Sequence, residues 1–411
     1  MSTLSLLKKL AVLAVRVGAN VQKKQLVVVR CSTISAVLAR LIVAECYKAK
    51  ASNVIVQWRD EYVSKESLKH MDSQSLVEVP QYVIDQNKYY IDNNACFINI
   101  VSTIPGINDS VKSSRIKAFS EASMKHLSFL QNHTMSNKAQ WTIVAYPNKV
   151  WAKKVFPNDS ANVALKKLQE AILNASRVYE NNDPIKDWEI HNNNLTKYNQ
   201  TMNNYNFKEL HFENSIGTSL VVGLVKDHIW CGGGEHSTKG VYFNPNIPTE
   251  ETFTMPDKNR INGKVYSTKP LDYQGKLIED FYLEFKDGKV INFDAKKERE
   301  SLENLLNTDE GSRSLGEVAL ISYDSPINNT GILFYNTLFD ENASCHLAIG
   351  RAYPMNIKRG VESSIEELKV RGYNYSNVHV DFMFGSRDMS IKGVTWDNEE
   401  IEIFRNGNFL F

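Results

Sequence analysis

Apolar and polar positions change rhythm along the chain, and the change divides it. In the first half, short apolar runs alternate with longer amphipathic stretches. Residues 25–30 (Gln-Leu-Val-Val-Val-Arg) read as a buried strand, and the spacing over 35–48 predicts a helix after it. Runs at 53–58, 96–101 and 141–146 repeat the strand pattern, with helix-length stretches at 64–77 and 109–129 between them. Strands separated by helical segments imply βαβ units, and so an α/β N-terminal domain with a mostly parallel sheet.

The second half follows a different rule. Residues 281–285 and 290–293 alternate about Asp287-Gly288, a hairpin signature, and 401–404 and 409–411 repeat it about Asn406-Gly407. Two helices are expected, one at 296–306 and one opening near Ser363, with Glu366 three residues on as in a capping box. The pattern predicts an α/β domain over 1–205 and a strand-rich α+β domain over 206–411. The polar stretch 180–206, with Asn192-Asn193-Asn194 and Asn203-Asn204, reads as a linker or exposed excursion.

A chain of 411 residues is long enough for two cores. A formal charge of +1 gives no basic field for nucleic acid. No apolar run reaches the 18 residues of a membrane span, and the run over 6–16 is cut by Arg16 with no small-residue cleavage site. A soluble cytoplasmic protein is expected. Cys31, Cys46, Cys96, Cys231 and Cys345 are odd in number and widely spaced, which reads as reduced thiols. Neither Gly-x-Gly-x-x-Gly nor a phosphate loop occurs, and Gly232-Gly233-Gly234 reads as a tight turn.

Ligand-type residues gather in the second half, inside apolar or turn-rich frames. Glu250 and Glu251 follow Pro248, and Glu317 interrupts the apolar run 315–321. Asp340, Glu341 and His346 come together, with Tyr353 seven residues after His346, and His379 and Asp381 share a strand. Strand residues two apart project from one face, so an imidazole and a carboxylate converge there. Burying an unpaired carboxylate is costly, and a divalent ion removes the cost. Histidine with carboxylates suits zinc, cobalt or manganese. Two histidines with at least three carboxylates exceed the needs of one zinc, and fit two ions with a bridging carboxylate and a bridging water. Taken singly, each residue has a plainer reading: Glu317 paired with a Lys or Arg, His379 hydrogen-bonded in a core, Glu250 and Glu251 in a solvated turn.

Five ordered blocks, 246–251, 315–319, 336–343, 346–353 and 379–383, resemble the signature of the thermophilic metalloaminopeptidase family that includes aminopeptidases T, S and II. Residues 17–22, 151–152 and 155–157 extend the likeness over nearly the whole chain. The resemblance implies a cytoplasmic, homodimeric exopeptidase acting on peptides with a free N-terminus through two divalent ions, with an α/β domain over a C-terminal catalytic one. It implies Glu251, Glu317, His346, His379 and Asp381 as metal ligands, with Glu250 in reserve for Glu251, and Tyr353 as an active-site residue. In that mechanism Tyr353 donates to the oxyanion, and Glu250 or Glu341 carries a proton to the leaving amine. Two other functions stay open: a metal-dependent hydrolase of another bond, and a non-catalytic metal- or peptide-binding protein on the same scaffold.

Overall fold

The computed structural model describes residues 3–274 and 276–411. They form two compact units, Met1–Ile190 with Gly234–Pro248, and His191–Gly233 with Thr249–Phe411.

The first unit is built on β1 (Leu26–Ser32), β2 (Asn53–Arg59), β3 (Cys96–Val101) and β4 (Trp141–Ala145), all parallel, in the order β2-β1-β3-β4. Alternation along β1 explains its unbroken apolar run. Val27 and Val29 pack into one core with Leu10, Leu38 and Ile42, while Leu26 and Val28 pack into another with Tyr90 and Phe97. A parallel strand covered on both faces has no polar side. The stretch expected as one helix over 64–77 is two, Glu61–His70 and Ser73–Leu76, because Asp60 and Asp72 each cap a new start.

The second unit opens with β5 (Glu209–Glu213) and β6 (Ser219–Leu224); a short hairpin, β7 (Glu235–His236) and β8 (Tyr242–Phe243), belongs to the first unit. There follow β9 (Thr252–Thr254), β10 (Pro256–Tyr266), β11 (Leu271–Tyr273), β12 (Lys276–Lys286), β13 (Lys289–Lys297), β14 (Leu315–Leu320), β15 (His346–Gly350), β16 (His379–Met383), β17 (Ser390–Val394), β18 (Glu400–Arg405) and β19 (Asn408–Phe409). Nine of these make one antiparallel sheet, β11-β12-β10-β6-β5-β17-β18-β19 with β13 on β12, and four make another, β16-β15-β14-β9. One core lies between them, with Phe212, Val222, Ile261 and Leu283 from the larger sheet and Val318, Leu347, Ile349 and Phe382 from the smaller. Both expected hairpins form, and each turn uses the left-handed conformations of its pair, Asp287-Gly288 and Asn406-Gly407.

Two further expectations are corrected. The capped helix is Ile365–Val370, with the box between Ser364 and Glu367, one residue later than the sequence suggested. The Asn-rich stretch is a helix, Pro184–Tyr205, rather than a linker. Trp188, Leu195 and Met202 recur every seven residues and are buried, giving the helix an apolar stripe. Its asparagines serve as hydrogen-bonding groups: Asn199 donates to the Gly232 carbonyl (3.0 Å), and Asn203 both donates to the Trp230 carbonyl (3.0 Å) and accepts from its N–H (2.9 Å). All five cysteines are free thiols. Among the described residues no helix is long and apolar enough to cross a membrane.

Candidate metal centre

The four-stranded sheet sorts its residues by register. Glu317 of β14 pairs with Ala348 of β15, which pairs with Asp381 of β16. Paired residues share a face, so the two acids lie in one row with the small Ala348 between them. His346 is two residues from Ala348, and His379 two from Asp381, which puts all four ligand-type side chains on that face. Val318, Leu347 and Phe382 take the other face and enter the core. The acids therefore sit in apolar runs because one side of the sheet is a core and the other a site.

A bulge sets the position of Glu317. The β14–β15 register shifts between Leu315 and Glu317, at Gly316. A Cβ on Gly316 would lie 2.4 Å from the Arg351 carbonyl, so only glycine fits the bulge. Glu251 enters from the residue before β9. A Cβ on Gly232 would lie 2.1 Å from the Glu251 carbonyl oxygen, and Asn199 holds the Gly232 carbonyl.

The distances define two groups that share one residue. His346 Nε2 is 3.3 Å from Glu317 Oε1 and 3.4 Å from Glu251 Oε2; His379 Nε2 is 3.6 Å from Glu317 Oε2 and 3.3 Å from Asp381 Oδ1. Within Glu251, Glu317 and His346, and again within Glu317, His379 and Asp381, one ligand atom from each residue lies within 4.8 Å of the others. Each oxygen of Glu317 faces a different histidine. His379 Nδ1 contacts the Arg351 carbonyl at 2.7 Å. With the proton on Nδ1, Nε2 would be free to ligate an ion held among the acids.

The electrostatics fit a cation. Burial works against charge on both rings, yet the carboxylates prevail: Glu317, Asp381 and Glu251 raise His346 to about 10, and Asp381 and Glu317 raise His379 to about 10. Burial and the charges of Asp381 and Glu251 push Glu341 well above the ordinary carboxylate range. Asp381 Oδ1, although near His379, is buried without a hydrogen bond of good geometry, and His346 Nδ1 has none. With Glu341 protonated, the carboxylates of Glu251, Glu317 and Asp381 still carry more negative charge than the two rings offset, which is the condition a divalent ion relieves.

The other residues named from sequence fall into two places. Tyr353 lies at the centre: its ring stands 4.8 Å from that of His379, and burial together with Glu317, Asp381, Glu341 and Glu251 holds its hydroxyl proton on firmly. Glu341 faces the same acids. Glu250 instead points to His191, at 3.8 Å, and its N–H donates to Asn342 Oδ1 at 2.8 Å. His191, which has no ligand-like spacing in the sequence, also contacts the Thr249 carbonyl at 2.7 Å. Only its place on an amphipathic face of the Asn-rich helix could have marked it.

Residues 4–409 match the family described as thermophilic metalloprotease (M29). The chain is 45% identical to aminopeptidase AmpS of Bacillus subtilis over 98% of its own length and 97% of the relative's, and 42% identical to aminopeptidase 2 of Geobacillus stearothermophilus over 98% of both. The solved structure of wild-type AmpT from Thermus thermophilus superposes with a TM-score of 0.93 at 34% identity, covering all of both chains. The α/β and strand-rich halves expected from sequence are those of that structure. With a buried glutamate–histidine ligand group at its centre and relatives matched along its whole length, the chain belongs to the thermophilic metalloprotease family M29, and is an enzyme of the same class as its aminopeptidase relatives.

Proposed function

We propose that the protein removes N-terminal residues from peptides at a dinuclear centre held by Glu251, Glu317, His346, His379 and Asp381. The observation that carries this reading is the sharing of Glu317, whose two oxygens face two separate ligand groups. Three carboxylates and two imidazoles suit zinc, cobalt or manganese. Ions held by these residues would activate a water near neutral pH and polarise the scissile carbonyl.

The remaining work falls to the chain. The acids of the site attract the substrate's free ammonium and place the N-terminal residue. Tyr353 keeps its proton and donates a hydrogen bond to the oxygen that gains charge in the transition state. Proton transfer to the leaving amine needs a carboxyl group that holds a proton close to the scissile bond. Glu341 meets that need, buried among Asp381, Glu251, His346 and Glu317. Glu250, the other acid expected for this step, lies against His191, so we assign it to fixing the turn that presents Glu251. The homodimer and cytoplasmic location implied by the family resemblance belong to the same proposal; light scattering after size exclusion tests the first.

The functional test is release of leucine from a leucyl chromogenic amide by protein stripped with a chelator and resupplied with cobalt, zinc or manganese. Activity returns with metal and is absent on the N-acetylated substrate. Folded, metal-loaded protein with no activity on the unblocked amide contradicts the proposal.

A further inference from the structure

The proposed centre recognises the amine end of a peptide, but its acids offer nothing to the carboxyl end. The link between β10 and β11 carries a cation on a loop bonded to the end of β16. Thr268 is fastened to the end of the strand that bears Asp381: its N–H donates to the Met383 carbonyl at 2.9 Å and its hydroxyl to the Gly385 carbonyl at 2.9 Å. Lys269 follows, then Pro270, whose ring limits backbone freedom, then β11, which packs against β16. The Lys269 side chain is thus mounted on a restrained loop next to β16.

Lys269 is half-buried and forms no salt bridge among the described residues. Burial holds its ammonium below the ordinary lysine range, and the charge opposing that effect comes from Asp340. Asp340 acts on it from a distance, without a direct ion pair. Its two oxygens already accept the N–H groups of Phe334 (2.7 Å) and Asn336 (2.9 Å), and burial pushes its own carboxyl up to about 6. Asp340 also directly precedes Glu341, whose carboxyl lies among the acids of the centre. A half-buried lysine with no carboxylate in direct contact, on a loop bonded to the end of the strand that bears Asp381, is suited to an anionic group brought by the substrate.

We propose that Lys269 binds a carboxylate of the peptide on the leaving side of the scissile bond, so that the enzyme favours short peptides whose free C-terminus reaches it. This assignment rests on the metal-centre reading and makes Lys269 a specificity residue rather than a catalytic one. The carboxylate can come from the C-terminus or from an acidic side chain next to the scissile bond, and substrates separate the two sources.

The test compares kcat/KM on Leu-Gly and Leu-Gly-Gly with their C-terminal amides, and on Leu-Asp-amide with Leu-Asn-amide, for the metal-loaded wild type, Lys269→Met and Lys269→Arg. One charge-assisted hydrogen bond predicts about a tenfold or greater preference for a carboxylate-bearing substrate in the wild type. The preference sits mainly in KM, disappears in Lys269→Met and is largely restored in Lys269→Arg. Activity on the leucyl chromogenic amide, which has no carboxylate, stays unchanged. Preference in the Asp/Asn pair alone identifies the side chain as the group bound. A wild type that cleaves the chromogenic amide and shows no preference in any pair overturns the role of Lys269 while leaving the metal centre standing. Equal losses by Lys269→Met on every substrate, the chromogenic amide included, overturn it in favour of a structural role.

Discussion

Strand β1 of the parallel sheet and strand β14 of the ligand sheet are both buried along almost their whole length, and they are buried for opposite reasons. On β1 the apolar residues of both faces enter hydrophobic cores, and Arg30, its one charged side chain, is held by Gln57 and Asn87. On β14 one face enters a core through Val318, while the other holds Glu317 with two histidines and further acids around it. Burial alone does not distinguish a core strand from a site strand. What distinguishes them is a cluster of acids that burial makes costly and that the two histidines beside them do not fully offset.

This contrast can be broken by exchanging the penalties. The largest effect is expected at Glu317. Glu317→Gln removes the residue shared by both ligand groups, so hydrolysis of the leucyl amide falls by about a thousandfold or more. In the metal-free variant both imidazoles lose the carboxylate that helps hold them protonated, so they titrate lower than in the metal-free wild type, read by NMR. Unchanged imidazole titration would count against the site reading. The mirror experiment is Ile98→Ala on β3, a fully buried position of the parallel sheet. It costs about 2–5 kcal/mol of stability, read by denaturant unfolding, while metal content and activity per folded molecule are kept.

Gly316→Ala falls between these two. The added methyl meets the Arg351 carbonyl group, so the bulge must shift. A loss of about 1–3 kcal/mol is expected, together with weaker metal retention, because Glu317 moves with the bulge. The smallest effect belongs to an acid outside both regions. Asp388 is exposed and is held down at about 2, by its hydrogen bonds with Ser215 and Ser386. Its folded value is depressed, so its stabilisation is present above the ordinary carboxylate range and is lost as pH falls toward 2. Asp388→Asn should cost under about 1 kcal/mol near neutral pH and almost nothing at pH 2. Equal costs at both pH values would show that the carboxylate charge is not the stabilising feature.

The fold was legible where one physical rule dominates a segment. The strands of the parallel sheet are continuous apolar runs, and the two hairpins announce themselves through Asp287-Gly288 and Asn406-Gly407. The Asn-rich helix was not legible, because its asparagines look like loop residues until the backbone groups of 230–232 are placed beside them. At the site, period-two spacing puts His379 and Asp381 on one side of a strand. It says nothing about Ala348, whose small side chain separates Glu317 from Asp381 across three strands, or about the bulge at Gly316. Nor does sequence order separate Glu250 from Glu251. Adjacent residues point apart, and only the packing of His191 shows which way each one turns.

The most direct test of the central claim, one carboxylate shared by two ions, is metal content by mass spectrometry after exhaustive dialysis. Wild type, Glu317→Gln and Asp381→Asn would be loaded side by side with zinc or cobalt. The shared-ligand account predicts two ions per chain in the wild type, one in Asp381→Asn and close to none in Glu317→Gln. One ion per chain in the wild type, or equal losses in the two variants, contradicts it.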